Sequence, residues 1–484
     1  MGLRIETPTR CLLCIVTLTA LCLGIAVAAL WPSTASAVCA RGIVDNRLEY
    51  SNQVPLAEVP GLVDAMGPTG LNATWTRVLV RWSYLEPTAP DAGGDHYNAH
   101  YRTELETVVA AFQAQGIHVI LTGTDVPHWA ANPKYIRHGR YTNAVARVGS
   151  PKVLKAFQRF GYYLVDHFKQ YGVHHFEVWN EPNLATGIWP QTIGKNHIGP
   201  DAYLKMLKAF WTGAKQASRS SVVIGGATSR FGSPGNDDGS TSPQWFATYL
   251  KQHGASKWFD AYSHHPYTKR GSDPRPSVPP KEANKSVTLG NISVLLKLFP
   301  TKPFYLTEFC YSTARSPQKD AFVVAVSEAD QARYLRQAYD LASRYKQIKV
   351  MLWFLVKDWQ SEGDPNSGVF TGLVDSSDQR KPAWYAFAEG NNLTAIAPTS
   401  AASGAKFTVS GVLTTKDGPY AGVSVLLQKH SSAGGAWSTV TTQSAIKTDA
   451  GGAYAFDVSQ TTASQYRVIW DGVCESPRVS VSTP

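Results

Sequence analysis

The sequence predicts an α/β fold, a TIM (β/α)8 barrel followed by a small C-terminal all-β sandwich. From about residue 40 to residue 390, short apolar runs alternate with longer helical patterns, which is typical of a parallel sheet covered by helices. Beyond residue 406, β-branched or alternating runs are separated by Gly and Asp-Gly turns, without a helical pattern. A doubly wound open sheet is the alternative to the barrel.

The predicted barrel strands are short, apolar and rich in β-branched residues, as in fully buried parallel strands. A first strand is expected near residues 42–48, and the clearer ones at 76–82, 117–122, 176–179, 222–226, 259–264, 303–307 and 350–355. Apolar residues with helical spacing predict helices at 101–115, 153–171, 201–218, 286–298 and 328–345. The sandwich strands are expected at 407–413, 423–428, 437–442, 453–458 and 465–470.

The N-terminus has the pattern of a secretory signal peptide. Arg4 and Arg10 precede an apolar run over residues 11–30, and the small residues Ala35-Ser36-Ala37 follow. We therefore predict a signal peptide over residues 1–37, cleaved before Val38, and a secreted protein without stable membrane insertion. An uncleaved signal anchor that tethers the protein to the membrane is the alternative, because the run is long enough to span a bilayer.

The mature chain is divided into a catalytic barrel (38–391), a linker rich in small residues (392–406) and an accessory β-sandwich (407–484). Three cysteines remain after the signal, Cys39, Cys310 and Cys474, an odd number for an oxidising compartment. One disulfide and one free thiol is the simplest expectation. A bond between Cys39 and Cys474 would join the two ends, but the sequence does not determine the pairing.

The composition argues against nucleic-acid binding. The net charge is +10, yet no block of Lys and Arg and no nucleic-acid motif is present. A positive surface favours acidic polysaccharide or an anionic cell surface as a partner. The 14 Trp, 22 Tyr and 18 Phe would suit an extracellular protein that stacks aromatic rings on its ligand. We expect a monomer.

Two predicted strands end in a carboxylate. Residues 176–183, FEVWNEPN, begin as an apolar strand and end in an amide, Glu181 and a proline, which a central strand does not accommodate. Residues 302–309, KPFYLTEF, end in the same way at Glu308. In a barrel the C-terminal ends of strands surround the active site. If these are strands four and seven, both carboxylates face one cleft.

Two carboxylates in one cleft suit glycosidic-bond cleavage. One must protonate the leaving oxygen, and the other must be ionised to attack the sugar or to activate water. Carboxyl groups about 5–5.5 Å apart give retention of configuration, and groups about 6.5–9.5 Å apart give inversion. We predict the shorter distance.

The two motifs resemble those of the clan of retaining glycoside hydrolases with catalytic glutamates on strands four and seven. FEVWNEPN is most similar to glycoside hydrolase family thirty-nine, the β-xylosidase-like enzymes, and cellulase-like family five is a more distant match. The resemblance implies that Glu181 is the acid/base and Glu308 the nucleophile. It also implies that Asn180 contacts the sugar 2-hydroxyl and that Arg77 keeps the nucleophile ionised.

Further candidate substrate-binding residues follow either from the resemblance or from their position in the predicted barrel. By the resemblance, His265 lines the sugar site, Tyr267 contacts Glu308, and Trp353 on strand eight forms an aromatic platform. His128 and Trp129 follow strand three, where they would line the cleft, whereas His264 is expected to pack in the core. No cofactor is expected. No metal site is predicted either, because the paired histidines lack the helical i, i+4 spacing of a zinc motif.

The C-terminal region resembles bacterial immunoglobulin-like or transthyretin-like modules, on Val409-Ser410-Gly411 and on residues 422–425. Such a module implies a spacer or stabilising role, or association with a cell wall or surface polysaccharide. For the whole chain, the resemblance implies a secreted retaining glycosidase that degrades a polysaccharide or oligosaccharide. A transglycosylase with the same residues and a catalytically silent carbohydrate-binding protein are the alternatives. The sugar and the linkage are not determined.

Overall fold

The computed structural model describes residues 39–49, 54–90, 96–131, 151–193, 196–232, 240–269, 271–313, 323–360, 368–389, 391–415, 417–431, 436–440 and 445–484. The predicted signal peptide lies outside these residues, so its cleavage stays a prediction. Within the described ranges, no helix combines the length and the apolar character needed to cross a membrane.

Eight parallel strands form a closed barrel in sequence order, and the last strand pairs with the first. Ala40 to Val44 of the first strand lie opposite Val350 to Phe354 of the last, which closes the ring. The predicted TIM barrel is therefore confirmed, and the open sheet is excluded. The strands are β1 Ala40–Val44, β2 Trp75–Arg81, β3 His118–Thr124, β4 His175–Val178, β5 Val222–Ser229, β6 Ala261–His265, β7 Phe304–Phe309 and β8 Ile348–Phe354.

Helical segments connect the strands, and four of them lie close to the helices predicted at 101–115, 153–171, 201–218 and 328–345. They are α1 Asn46–Glu49, α2 Val59–Asp64, α3 Trp82–Leu85, α4 Ala99–Ala114, α5 Pro151–Phe168, α6 Ile198–Ala217, α7 Pro243–Gln252, α8 Ser293–Leu296, α9 Glu328–Ser343 and α10 Pro382–Ala388, with 3-10 turns at Leu56–Glu58, Lys169–Tyr171, Ala255–Lys257 and Leu289–Asn291. The cap of α4 is Asn98, whose side chain accepts the Tyr101 N–H.

Two differences from the predicted helices have local causes. The continuous helix predicted at 286–298 is wrong. A capping box between Thr288 and Asn291 starts the helical segment only at Leu289, as a 3-10 turn, and α8 begins at Ser293. Five helices were not predicted: the short α1, α2 and α3, and the longer α7 and α10. The last two share a signal. Both begin with a proline in the first turn, at Pro243 and Pro382, which is the sequence signal that could have located them.

The barrel interior is layered. Part of it is apolar, with Val44, Ile120, Ile224, Ala261, Val350 and Leu352 in one buried cluster. Successive side chains of a strand point to opposite faces, so the residue two positions after an inward-facing residue also faces the interior. These positions carry a buried polar layer, made of Arg77, Thr122, Glu177, Ser263 and Thr307. This layer lies between the apolar core and the C-terminal ends of the strands.

The C-terminal region consists of antiparallel sheets, in agreement with the predicted all-β region. Asn392–Leu393, Lys406–Thr415, Gly418–Pro419 and Ala453–Ser459 form one sheet; Ser424–Ser431, Ser438–Thr439, Ile446–Lys447, Ser464–Trp470, Cys474–Glu475 and Val479–Val481 form the other. The stretch predicted as a linker contributes to the first sheet through Asn392–Leu393. The predicted domain boundaries stay predictions.

The C-terminal sheets contact the barrel through α9 and α10. Arg333 of α9 forms an ion pair with Asp471, and Arg336 Nη1 donates to the Val473 carbonyl oxygen at 2.6 Å. Tyr385 of α10 shares a hydroxyl–hydroxyl hydrogen bond with Tyr420. The chain from Ala37 to Pro484 accordingly forms one compact unit.

The thiols of Cys39, Cys310 and Cys474 are free, so the expected disulfide is absent from the structure. Burial raises the pKa of the Cys39 thiol to about 12 and that of the Cys474 thiol to about 11. Thiols with such pKa values are mostly protonated and therefore poor nucleophiles at neutral pH.

Candidate active site

The turn after β4 places Glu181 at the mouth of the barrel. The backbone φ angles of Trp179 and Glu181 are +74° and +44°, in the left-handed region that residues other than glycine seldom adopt. Asn183 holds this turn, because its Oδ1 accepts the Ser229 N–H at 2.7 Å and its Nδ2 donates to the Thr241 carbonyl at 2.9 Å. The side chain of Glu181 remains 21% exposed and accessible from the cleft.

Glu308 lies deeper, at the end of β7. Leu306 pairs with Met351 and Phe309 with Trp353, so β7 has one more residue than β8 at this point. Such an irregularity changes the direction of a side chain. Glu308 is only 7% exposed and accepts hydrogen bonds from the Arg77 guanidinium and from the Tyr267 hydroxyl, one on each oxygen.

His265 joins the two carboxylates. Its Nδ1 lies 3.1 Å from Glu181 Oε1 and 3.5 Å from Glu308 Oε2. One carboxylate oxygen of each glutamate and a ring nitrogen of His265 all lie within 4.8 Å of one another. Arg77 completes the group, since its Nη1 is 3.4 Å from both Asn180 Oδ1 and His265 Nε2. The structure thus brings together six of the nine predicted site residues.

The surroundings of Glu308 favour its ionised form. Burial raises the pKa of this carboxyl, but the charges of Arg77 and His265 and the hydrogen bonds from Tyr267 and Arg77 lower it, and the net shift is downward. Burial lowers the pKa of His265, whereas Glu308 and Glu181 raise it, and the net shift is upward. A buried ionised carboxylate beside a cation and a phenol hydroxyl is equipped to act as a nucleophile.

A second buried carboxylate, Glu177, lies beneath the site in the polar layer. It is completely buried in β4, and its oxygens accept hydrogen bonds from the Thr122 and Thr307 hydroxyls, each at 2.8 Å. Arg77 Nη1 is 3.8 Å from Glu177 Oε2. Arg77 is therefore placed between two carboxylates, Glu177 and Glu308.

The cleft beside Glu181 has a volume of about 230 Å³. Its lining includes Asn180, Glu181 and an ion pair between Arg81 and Asp125, at 3.3 Å, from the ends of β2 and β3. Burial raises the pKa of Asp125, and the charge of Arg81 opposes this shift. The pair offers donors and acceptors next to each other, which is the arrangement that binds adjacent hydroxyl groups.

A resident metal does not fit this site, although Glu181, His265 and Glu308 could each offer a ligand atom. Both oxygens of Glu308 already accept hydrogen bonds, and the buried Arg77 cation adjoins them. Its positive charge opposes a second cation at the same carboxylate.

A family model for cellulase (glycosyl hydrolase family 5) matches residues 69–353, which is more than half of the chain. The chain belongs to this family. The part of this family 5 protein that the model matches includes both glutamates, strands β2 to β7 and all of β8 except Phe354. The motif predicted family thirty-nine as the most similar family, and this assignment is not confirmed. The predicted clan of retaining glycoside hydrolases is supported. The two families share the pair of glutamates on which the prediction rested.

A search of curated proteins found no match. Among solved structures, the family 5 chain is similar to a β-glucuronidase of Bacteroides uniformis, at 11% identity and a TM-score of 0.48, covering 93% of this chain and 46% of that one. It is also similar to an exo-β-1,4-mannosidase of Opitutaceae bacterium strain TAV5, at 15% identity and a TM-score of 0.48, covering 73% and 60%. The chain thus spans less than two thirds of either protein's length.

The remaining three predicted site residues are Trp353, Trp129 and His128. Trp353 is completely buried against Phe309, and its indole N–H donates to the Thr371 carbonyl at 2.9 Å, so no face of its ring is open to a sugar. Trp129 donates to the Glu86 carbonyl at 2.9 Å, and His128 beside it is exposed. The residues that line the described cleft include neither of these two.

The sequence analysis missed Glu177, Arg81 and Asp125. Glu177 stands within an apolar strand, where a charged residue is itself a signal of a buried partner. Arg81 and Asp125 occur at or just beyond the C-terminal ends of β2 and β3, as Glu181 does for β4. His264 is buried, bonds to Thr228 and to the Val287 carbonyl, and has a pKa lowered to about 3 by burial.

Proposed function

We propose that this protein is a secreted glycosidase that cleaves β-linked glycans with retention, with Glu181 as acid/base and Glu308 as nucleophile. One observation carries the proposal: oxygens of the two carboxylates lie within 4.8 Å of each other at the mouth of one barrel. Inverting enzymes hold their carboxyl groups about 6.5–9.5 Å apart to admit a water, so this shorter separation supports a direct attack on the sugar.

Each step then has a group in place. In the first step, Glu308 attacks the anomeric carbon while Glu181 donates its proton to the leaving oxygen; the glycosidic bond breaks and a glycosyl ester forms. In the second, Glu181 takes a proton from water, the water oxygen attacks the anomeric carbon, and the ester bond breaks. Glu308 is regenerated as a carboxylate, and the sugar keeps its configuration.

The neighbouring groups support these roles. Asn180 Oδ1 accepts from Arg77, at 3.4 Å, which leaves the amide N–H groups to bind a sugar hydroxyl. Arg77 and Tyr267 favour the ionised nucleophile before attack and the carboxylate that leaves in the second step. We further propose that the C-terminal sheets stabilise the barrel or space it from a surface, as their contacts with α9 and α10 suggest.

The test is the configuration of the first product. Aryl β-glycosides of several neutral and acidic sugars are incubated with the protein, and the anomeric proton is followed by NMR before mutarotation. We expect the β-anomer to form first. Initial release of the α-anomer would exclude retention. If the protein hydrolyses neither these glycosides nor any of a panel of β-linked polysaccharides, a carbohydrate-binding protein is favoured instead. Transfer of the glycosyl group to an added sugar would indicate a transglycosylase.

We expect Asp125→Asn to raise KM for the best substrate roughly tenfold while kcat changes little, because a lost sugar contact made throughout the reaction weakens binding uniformly. Asn also tolerates the φ of +60° found at this position. Asp378→Asn is the matched control, since Asp378 also has a positive φ, of +64°, and pairs with a cation, Lys357. An equal effect of both substitutions would argue against a sugar contact at Asp125.

A further inference from the structure

The hydroxyl of Thr307 connects the buried Glu177 with His265. Thr307 Oγ1 is 2.8 Å from Glu177 Oε1, 2.7 Å from Ser263 Oγ and 3.1 Å from His265 Nε2, and all four residues are completely buried. A hydroxyl donates one hydrogen bond and accepts two. An ionised carboxylate only accepts, so the Thr307 hydrogen points to Glu177. Thr307 must then accept from both Ser263 and His265.

We propose that Glu177, acting through Thr307, is a positioning residue that holds His265 with a hydrogen on Nε2. When the ring is neutral, the opposite nitrogen, Nδ1, then carries no hydrogen. Nδ1 lies 3.1 Å from Glu181 Oε1. A hydrogen bond at this distance requires a proton between the two atoms. The proton that the proposed acid/base donates is therefore shared between Glu181 and His265 Nδ1. The inference thus rests on the proposed role of Glu181.

This arrangement has a consequence for catalysis. Once the shared proton is lost, the lone pair of Nδ1 faces an ionised carboxylate, and this repulsion opposes the loss. The other tautomer, with a hydrogen on Nδ1, would donate to the carboxylate and favour the loss. Compared with a ring that was free to change tautomer, the ring held by Glu177 opposes loss of the shared proton.

Several other charged or titratable groups face His265, and two of them favour the opposite tautomer. Ionised Glu308 lies beside Nδ1, with its Oε2 at 3.5 Å, which is longer than the 3.1 Å contact of Glu181. The second group, Arg77, competes for Nε2. Arg77 Nη1 is 3.4 Å from Nε2, and a guanidinium can only donate, so its hydrogen bond would require the opposite tautomer. The Thr307 contact is shorter, at 3.1 Å, and agrees with the direction imposed by Glu177. The groups around the ring are Glu181 and Glu177 of the β4 region, Glu308 of β7, Arg77 of β2, and the neighbouring His264 and Tyr267.

The tautomer can be read directly in the wild-type protein. The protein is labelled with ¹⁵N-histidine, the signal of His265 is assigned by its absence in His265→Gln, and long-range ¹H–¹⁵N correlations are recorded at a pH where the ring is neutral. We expect the hydrogen on Nε2. A hydrogen on Nδ1 would overturn the proposal and would identify Arg77 as the partner of Nε2. This readout needs no substrate, so it is separate from any failure of the proposed glycosidase activity.

Substitutions test the role of Glu177. In Glu177→Gln the amide oxygen is expected beside Arg77 and the amide NH₂ beside Thr307. The NH₂ then donates to Thr307 Oγ1, so the Thr307 hydroxyl can donate its own hydrogen to His265 Nε2. This contact favours the tautomer with the hydrogen on Nδ1. We expect the basic limb of the kcat/KM profile to move down by roughly one to two pH units, the effect of one charge-assisted hydrogen bond. Thr307→Ser keeps the hydroxyl and should keep the wild-type profile and tautomer.

Thr122→Val is the matched control. It removes the other hydroxyl that donates to Glu177, at 2.8 Å, but does not alter the contact between Thr307 and His265. A variant that only loosened the polar layer would lower activity without moving the basic limb. Equal shifts in Glu177→Gln and Thr122→Val, or an unchanged His265 tautomer in a folded Glu177→Gln, would overturn the proposal.

Discussion

Glu308→Ala is expected to lower kcat/KM on an aryl β-glycoside by more than roughly 10⁴-fold, the scale on which loss of a catalytic nucleophile acts. The substitution leaves a space beside Arg77 and Tyr267 that a small anion can enter. Added azide should restore turnover and give the α-glycosyl azide, because azide then attacks once, from the side that Glu308 occupies.

Glu181→Ala should behave differently in the same assay. We expect a loss of roughly 10²–10⁴-fold, the usual contribution of general acid–base catalysis, and a smaller loss with leaving groups that need no protonation. Azide should here attack the glycosyl ester and give the β-glycosyl azide. The two anomers therefore distinguish the two roles.

Glu58→Ala is the control for these variants, because Glu58 is an exposed glutamate in the Leu56–Glu58 turn. It should retain wild-type activity. If Glu308→Ala or Glu181→Ala kept most of the activity, the pair would not be the catalytic machinery. The same azide anomer from both variants would show that the assigned roles are wrong.

Arg77→Met is expected to have the second largest effect. Arg77 is 2% exposed and pairs with Glu308 and Glu177, so its removal leaves buried carboxylates without their cation. Breaking such a buried pair costs about 3–5 kcal/mol of the free energy of unfolding. Because the cation lowers the pKa of Glu308, its loss raises that pKa. The nucleophile must be ionised, so the acidic limb of kcat/KM should move to higher pH.

Urea unfolding and a pH profile measure these two effects separately. Arg77→Lys keeps the charge but loses the planar fork, so we expect a smaller shift of the acidic limb and a partial loss of stability. An unchanged acidic limb in a folded Arg77→Met variant would mean that Arg77 does not control the ionisation of Glu308.

The barrel and the catalytic pair could be predicted because they depend on local patterns. The alternation of apolar strands and helices indicates a parallel barrel, and a carboxylate at a strand end is read directly from residues such as Glu181 and Glu308. The parallel arrangement then places both on one face without knowledge of any long-range contact. The same reasoning failed for residues 286–298, where a capping box starts the helical segment only at Leu289 and as a 3-10 turn.

The sequence by itself determined the fold class, the two glutamates and the face on which they meet. Only the tertiary structure decided their separation within 4.8 Å, the place of Arg77 between Glu177 and Glu308, and the burial of Trp353. Each of these depends on the register of neighbouring strands, including the extra residue of β7 before Phe309. Register between strands that are far apart in the chain leaves no local pattern, because it is fixed by packing across the closed barrel.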